Sequence, residues 1–300
     1  MSVPISQQTI GAARVTRVEE MAGPGFRLST IFPDWDAAVF EEHKDWLVPT
    51  YVNPEKMTAL LNMHSWVVEH NGLTVLIDTC VGNDKERMPY RDWSGMQTGW
   101  LDNLKATGVT PEDIDFVMCT HLHIDHVGWN TRLQDGQWVP TFANAKYIFA
   151  RQEYEFWKAE RDRPDPDEFL QVNHQTFDDS VMPIMHLAEL IDGETSLVDD
   201  LLTIKPAPGH TPGSIALTLS STGKKAVFTG DICHHPIQVY EPHWNSAFCE
   251  LPEQAISTRK QMLETCVESN ALMMPAHFGP SFAGHVRDSG TGFSFEFSEH

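Results

Sequence analysis

Thr120-His121-Leu122-His123-Ile124-Asp125-His126-Val127-Gly128 constrains this chain more than any other stretch. Three imidazoles and a carboxylate fall within a few residues, directly after the apolar run Ile114 to Cys119, which reads as an interior strand. Side chains two apart on extended backbone share a face, so His121 and His123 can reach one point. Asp125 and His126 require the chain to turn, as into a helix start, and so face a slightly different point. One short segment can therefore serve two neighbouring divalent ions. Neutral imidazole and carboxylate suit zinc, and the same donors accept manganese, cobalt or iron. A histidine-rich surface tract would sit in polar sequence, not behind a strand.

The rest of the composition narrows the setting. A chain of 300 residues buries a full core without staples, and 41% hydrophobic with 21% charged residues is ordinary for a globular protein. Twenty-one Lys and Arg stand against 42 Asp and Glu, a formal charge of −21, and such a surface repels phosphate backbones and anionic membranes. No nucleic-acid or membrane partner is expected. Cys80, Cys119, Cys233, Cys249 and Cys266 are odd in number and widely spaced, which fits buried thiols of a reducing compartment. Met1 to Gln8 has no leader pattern, and no apolar stretch reaches the ~18 residues of a membrane span. The expected location is the cytoplasm.

In chain order, Ala13 to Val18 and Phe26 to Phe32 read as strands. Residues 33–63 form an aromatic-rich excursion with Trp35, Phe40, Trp46 and Tyr51 and only short helical stretches. It suits core packing, an active-site mouth or a subunit contact. Ser65 to Glu69 and Leu73 to Ile77, joined through Asn71-Gly72, read as a hairpin. Asp78 at the end of its second strand is placed to orient a ligand imidazole or to cap the next loop. Gly99 to Thr107 reads as a helix, and Thr110-Pro111-Glu112-Asp113 as a capped turn. After the histidine cluster come a strand, Ala145 to Ala150, and helices at Gln152 to Glu160 and Thr176 to Ala188. Residues 151–188 thus read as a helical insertion, and its apolar faces, with the excursion, suggest a homodimer. The second half reads as strands at Leu201 to Lys205, Ser214 to Leu219, Lys225 to Thr229 and Leu272 to Met274, with a helix at Pro252 to Asn270.

Each of these later strands ends near a potential ligand: His210 in Pro208-Gly209-His210-Thr211-Pro212-Gly213, Asp231 after Gly230, and His277 after Pro275-Ala276. His-x-His-x-Asp-His, Gly-His-Thr-Pro-Gly, Gly-Asp and a late histidine, in that order, resemble the metallo-β-lactamase superfamily. The resemblance implies an α/β fold, the four-layer αββα sandwich, as one domain over residues 1–300. It also implies roles: His121, His123 and His210 on a first metal, Asp125, His126 and His277 on a second, and Asp231 bridging them. Two such ions, zinc foremost, would share a hydroxide that cleaves a small ester, lactone or phosphotriester.

Departures from the pattern sort the branches. A cysteine stands at the Asp231 position in the commonest zinc β-lactamases, and a glutamate at the His123 position in flavodiiron proteins. The glyoxalase II pattern has a further glycine where Trp129 follows Gly128. Many acyl-homoserine lactonases carry a tyrosine three residues after the bridging aspartate, where this chain has His234. The run Gly230 to His234 and the tail to Val286 look more like the methyl parathion hydrolase branch. The expected activity is therefore metal-dependent hydrolysis of an ester-type bond, with an acyl-homoserine lactonase or a thioesterase as alternatives. Asp125, Asp231 and His234 are the expected catalytic residues. Trp129, Trp244, Phe248 and Phe282 suit either a hydrophobic mouth or ordinary core packing.

Overall fold

The computed structural model describes residues 6–298 apart from 165 and 199. The chain packs as two compact units, Met1–Met21 with Met63–Thr195, and Ala22–Asn62 with Ser196–His300.

In the first unit the hairpin forms as its turn residues dictate. Asn71 and Gly72 take φ of 49° and 81°, and Trp66 pairs with Ile77 and His70 with Leu73. Parallel pairing then leads from Leu73–Ile77 to Phe116–Met118, Lys146–Ala150 and Ala188–Ile191. Parallel strands need long crossovers, and the helices Trp100–Ala106 and Arg151–Arg161 lie in two of them. Before the strand Phe116–Met118, the Asp113 carboxylate accepts from Thr110 N and Oγ1 at 2.8 and 2.7 Å, closing the expected capped turn. Leu76, Val117, Tyr147 and Phe149 share one core with Trp100, Leu104, Trp129 and Trp157. Trp129 is 3% exposed and stacks on Trp100 with centroids 5.5 Å apart, so of its two expected placements the core is the one realised.

Two expected elements differ. The helix expected over Thr176 to Ala188 instead begins at Glu168, where the Asp167 carboxylate accepts from Leu170 N at 2.8 Å, and it ends at Thr176. The backbone stays helical beyond it as expected, in a wider π pattern over Phe177–Val181 and a tighter 3-10 pattern over Met182–Leu187, where Pro183 has no N–H for an α bond. Asp179 in this segment is also pinned, receiving two hydrogen bonds from Arg87 at 2.7 and 2.8 Å. The strand expected over Phe26 to Phe32 is extended only to Arg27, the end of one long strand Ala13–Arg27. Leu28–Ile31 coils into a helical turn that buries Leu28, Ile31 and Phe32.

The second unit pairs its strands in sequence order, Thr195–Leu197, Leu202–Pro206, Ile215–Ser221, Lys224–Phe228, Leu272–Met274, Gly284–Asp288 and Phe293–Phe297. Only Lys224–Phe228 and Leu272–Met274 run parallel among its registered pairs. Between them lies the helix Pro252–Ser269, opened by its proline and stopped at Asn270, whose φ is 49°. Leu263 and Cys266 of this helix pack with Val227, Met273 and Val286 of the sheet.

A second cluster in this unit absorbs the aromatic excursion. It holds an 11-residue helix, Ala37–Leu47, longer than the short stretches expected, with the Asp36 carboxylate accepting from Ala38 N at 2.8 Å. Phe32, Phe40, Leu47 and Tyr51 are buried there with Ile237 and Trp244. Trp35 lies 5.6 Å from Trp244 and Trp46 lies 4.9 Å from Tyr240, centroid to centroid. Trp244, at 1% exposure, is therefore a core residue and no part of a mouth.

Candidate metal centre

Open parallel sheets present their strand carboxyl ends to ligands, and the site residues follow that rule. In the first unit Asp78 follows Leu73–Ile77, and His121 to His126 follow Phe116–Met118. In place of a helix start, His126 N donates to the His123 carbonyl at 3.1 Å, and a single tight turn follows at Gly128–Asn130. This brings His121, His123, Asp125 and His126 together. His121 Nε2 is 3.1 Å from His123 Nδ1, and the rings of His121 and His126 are 4.0 Å apart. His126 Nε2 is 3.8 Å from Asp125 Oδ1.

Asp78 takes the orienting role. His126 Nδ1–H donates to Asp78 Oδ2 at 2.9 Å, which leaves Nε2 as the nitrogen with the lone pair. Thr120 donates to the same carboxylate through N and Oγ1 at 2.8 Å each. Having spent its hydrogen there, Thr120 Oγ1 can only accept from His121 Nδ1, 3.1 Å away. One buried carboxylate thus sets the tautomer of two imidazoles, and both present Nε2 lone pairs.

Two further buried carboxylates brace the motif from either side. Glu153 Oε1, on the helix Arg151–Arg161, accepts from Leu122 N at 3.0 Å and from Trp157 Nε1 at 2.7 Å. Trp157 in turn packs its ring 5.2 Å from that of His123. The second brace is Glu20, which accepts from Val81 N, Gly82 N, Trp129 Nε1 and Thr98 Oγ1 at 2.7 to 3.2 Å. Its burial pushes its carboxyl above the usual range, and those donors pull it back down. Neither glutamate has a local sequence signal, since nothing along the chain sets Glu20 apart from Glu19 or Glu153 from Glu155, and the backbone amides they accept from lie far away in sequence. Replacing Glu153 with alanine is expected to weaken metal retention about 10- to 100-fold in a chelator competition. Glutamine should recover most of the loss, because one oxygen accepts both bonds. Wild-type retention in the alanine variant would remove Glu153 from this role.

The second unit brings together His210, Asp231, His234 and His277. His210 is placed by Gly209, whose φ is 142° and where a Cβ would meet Ala255 Cα at 2.4 Å. The His210 carbonyl accepts from Glu250 N at 2.8 Å. Asp231 follows Lys224–Phe228 and His277 follows Leu272–Met274, the two parallel strands. His277 Nε2 is 3.1 Å from Asp231 Oδ1, while His210 Nε2 and His234 Nε2 are 3.4 and 3.2 Å from Oδ2. His234 is held by its backbone: its N–H donates to Gln238 Oε1 at 2.7 Å, and Arg259 Nε ties down the Ile232 carbonyl at 2.8 Å. Burial lowers the His234 pKa despite the nearby Asp231 carboxylate.

These donors fit a divalent cation. His277 Nδ1–H donates to the Asn62 carbonyl at 3.0 Å, so a neutral ring turns its Nε2 lone pair towards a carboxylate oxygen. Nε2 stands 3.1 and 3.2 Å from the two Asp231 oxygens, an approach that either a shared proton or a cation among these donors stabilises. Cys233 and Cys249 offer no competing thiolate, because burial pushes both up to about 11. Phe248 lies 6.4 Å from the His234 ring and 5.0 Å from Phe26, forming a half-buried aromatic pair beside that histidine.

Comparison with known proteins agrees. Residues 60–263 match the model of the metallo-beta-lactamase superfamily. An N-acyl homoserine lactonase of Rhizobium radiobacter is 27% identical over 173 residues, covering 53% of this chain and 60% of that protein. One from Bacillus cereus is 23% identical over 174 residues, with 58% and 60% covered. The matched segments thus span about 60% of the length of these curated relatives. Among solved structures, AidC, a dizinc quorum-quenching lactonase, superposes with a TM-score of 0.80 over 99% of this chain and 98% of its own, at 18% identity. The hydrolase AbOPH of the beta lactamase superfamily gives 0.80 over 99% and 98% at 20% identity. With the ordered histidine and aspartate motifs at strand carboxyl ends and a family match from residue 60 to residue 263, this chain belongs to the metallo-beta-lactamase superfamily.

Proposed function

We propose that the chain is a metal-dependent hydrolase that opens small lactones, with N-acyl homoserine lactones as the first class to test. The observation that carries the reading is the tautomer arrangement, in which Asp78, Thr120 and the Asn62 carbonyl leave His121, His126 and His277 with Nε2 lone pairs. His121, His123 and His210 would hold one divalent ion, Asp125, His126 and His277 another, and Asp231 would serve both; zinc suits these donors best. Ions held there supply Lewis acidity and make water more acidic near neutral pH.

The chain's own residues do the rest. Asp125 is the most open of the carboxylates, with its side chain 13% exposed, so it can take a proton at its carboxylate and pass it to a leaving alkoxide. Asp231, buried, orients the three imidazoles around it. His234 completes the reacting end of that cluster. Thiols held protonated at Cys233 and Cys249 leave water as the nucleophile. The names of the relatives support a lactone over an aryl ester, and the half-buried Phe26–Phe248 pair supports an apolar substituent.

The test is a panel of acyl-homoserine lactones, simple lactones, aryl esters and phosphotriesters with zinc-loaded protein. Lactones should exceed the other classes in kcat/KM by about 100-fold, and chelation should remove the activity. Aryl phosphotriester turnover at or above lactone turnover would overturn the choice of substrate. Failure to hydrolyse any of the four classes would overturn the hydrolase itself.

A further inference from the structure

We propose that His234 is itself a metal ligand, joining His210 and Asp231 on one ion. The proposal rests on the reading of the histidine and aspartate cluster as a metal centre, and it adds a donor to the set which the sequence pattern implies.

Three observations lead to it. First, the distances are those between ligands of one ion. Zinc–donor bonds of ~2.0–2.1 Å arranged as a tetrahedron put neighbouring donor atoms ~3.3 Å apart. His210 Nε2 and His234 Nε2 stand 3.4 and 3.2 Å from the same oxygen, Asp231 Oδ2. Second, neither ring nitrogen of His234 makes a hydrogen bond among the described residues, although the residue is only 3% exposed. Its Nε2 is close to Asp231 without the alignment that a hydrogen bond needs, which is how two ligands of one cation approach each other. Buried polar atoms are normally satisfied, and an ion would satisfy this one. Third, the ring is aimed by its scaffold. The backbone N–H of His234 donates to Gln238 Oε1, Gln238 Nε2 donates to the Trp244 carbonyl at 2.9 Å, and Arg259 holds the Ile232 carbonyl. An imidazole held at its backbone is free to give its lone pair to something else.

His210, Asp231 and His234 then form a three-donor site with His277 beside it, its ring 5.9 Å from and nearly parallel to that of His234. A phenol or amide at position 234 could offer a hydrogen bond there, but it would be a poor ligand for zinc.

The experiment compares wild type with His234→Ala, His234→Asn and Asp231→Ala by metal content, chelator competition and the visible spectrum of the cobalt-substituted protein. Asparagine keeps polarity and hydrogen bonding while binding zinc weakly. A ligand role predicts that both His234 variants lose affinity for one ion by at least about 10- to 100-fold, the range seen for outer partners of a ligand. Their cobalt spectra should change, and added imidazole should restore binding to the alanine variant. Should the alanine variant fail to fold without metal, as judged by thermal melting, the asparagine variant decides alone. If His234→Asn binds both ions as wild type does, with an unchanged cobalt spectrum, His234 is not a ligand. The metal-centre reading survives that result as long as Asp231→Ala loses metal. If Asp231→Ala also keeps its full metal content, the reading itself fails.

Discussion

Alanine at Gly128 is expected to cost a large part of the fold's stability and to dismantle the histidine loop with it. A Cβ there would lie 1.8 Å from the Val81 carbonyl oxygen, 2.0 Å from its carbon and 2.6 Å from Gly82 N. All three atoms are backbone, so no rotamer change relieves the clash. Relief by separation is also blocked, because the two segments are zipped together. Thr79 N donates to the His126 carbonyl, Gly128 N to the Cys80 carbonyl and Trp129 N to the Thr79 carbonyl, at 2.7 to 2.8 Å. Glu20 closes the zipper by accepting from Val81, Gly82 and Trp129. Parting the segments breaks these buried bonds, a loss of about 4 kcal/mol or more. Urea unfolding of Gly128→Ala against wild type measures it. Gly23→Ala is the control, since nothing lies within 4 Å of its Cβ position, and it should be near neutral. Equal unfolding midpoints for Gly128→Ala and Gly23→Ala would show that the close approach at Val81 does not matter.

Asp231→Ala should have the largest effect on activity and metal content. Three imidazole nitrogens lie within 3.1 to 3.4 Å of this one carboxylate. Its removal takes away the carboxylate that all three share. Neutral rings alone hold a divalent ion weakly, so metal content should fall from the two ions proposed to one or none. The proposed lactone hydrolysis should fall by about 1000-fold. The metal-free variant should unfold much as metal-free wild type does. Added zinc should then raise the melting temperature of wild type and leave that of the variant unmoved, since ligand binding to the native state is what supplies the increment. Full metal content and activity in Asp231→Ala would refute its role.

The sequence revealed the site better than it revealed what holds the site. His121, His123, Asp125 and His126 announce themselves by spacing, and Asn71-Gly72, Thr110 to Asp113 and Pro252 to Asn270 mark their elements by local chemistry. Asp36 and Asp167 were equally local signals, for the helices Ala37–Leu47 and Glu168–Thr176, and both caps are formed. Leu28 to Phe32 could not be read this way. Its alternation suits a strand, but burial among Phe40, Tyr51 and Trp244 decides for a turn of helix. Glu20 and Glu153 lie far in sequence from the amides they accept from, so no window along the chain pairs them. Trp129 and Trp244 show the same limit, since residue type does not tell a core tryptophan from one lining a pocket.

The order of synthesis acquires importance from the way the second unit is assembled. Ala22–Asn62 belongs with Ser196–His300, and everything between them packs elsewhere. Phe32, Phe40, Leu47 and Tyr51 emerge early and must wait for Ile237 and Trp244 before their cluster can close. At ~5–20 residues per second that interval is ~10 s or longer, during which the first unit's segments become available to fold. Throughout it an apolar, aromatic stretch stands open to solvent and to neighbouring chains. Translation speed across residues 63–236 should therefore affect the soluble yield of this protein.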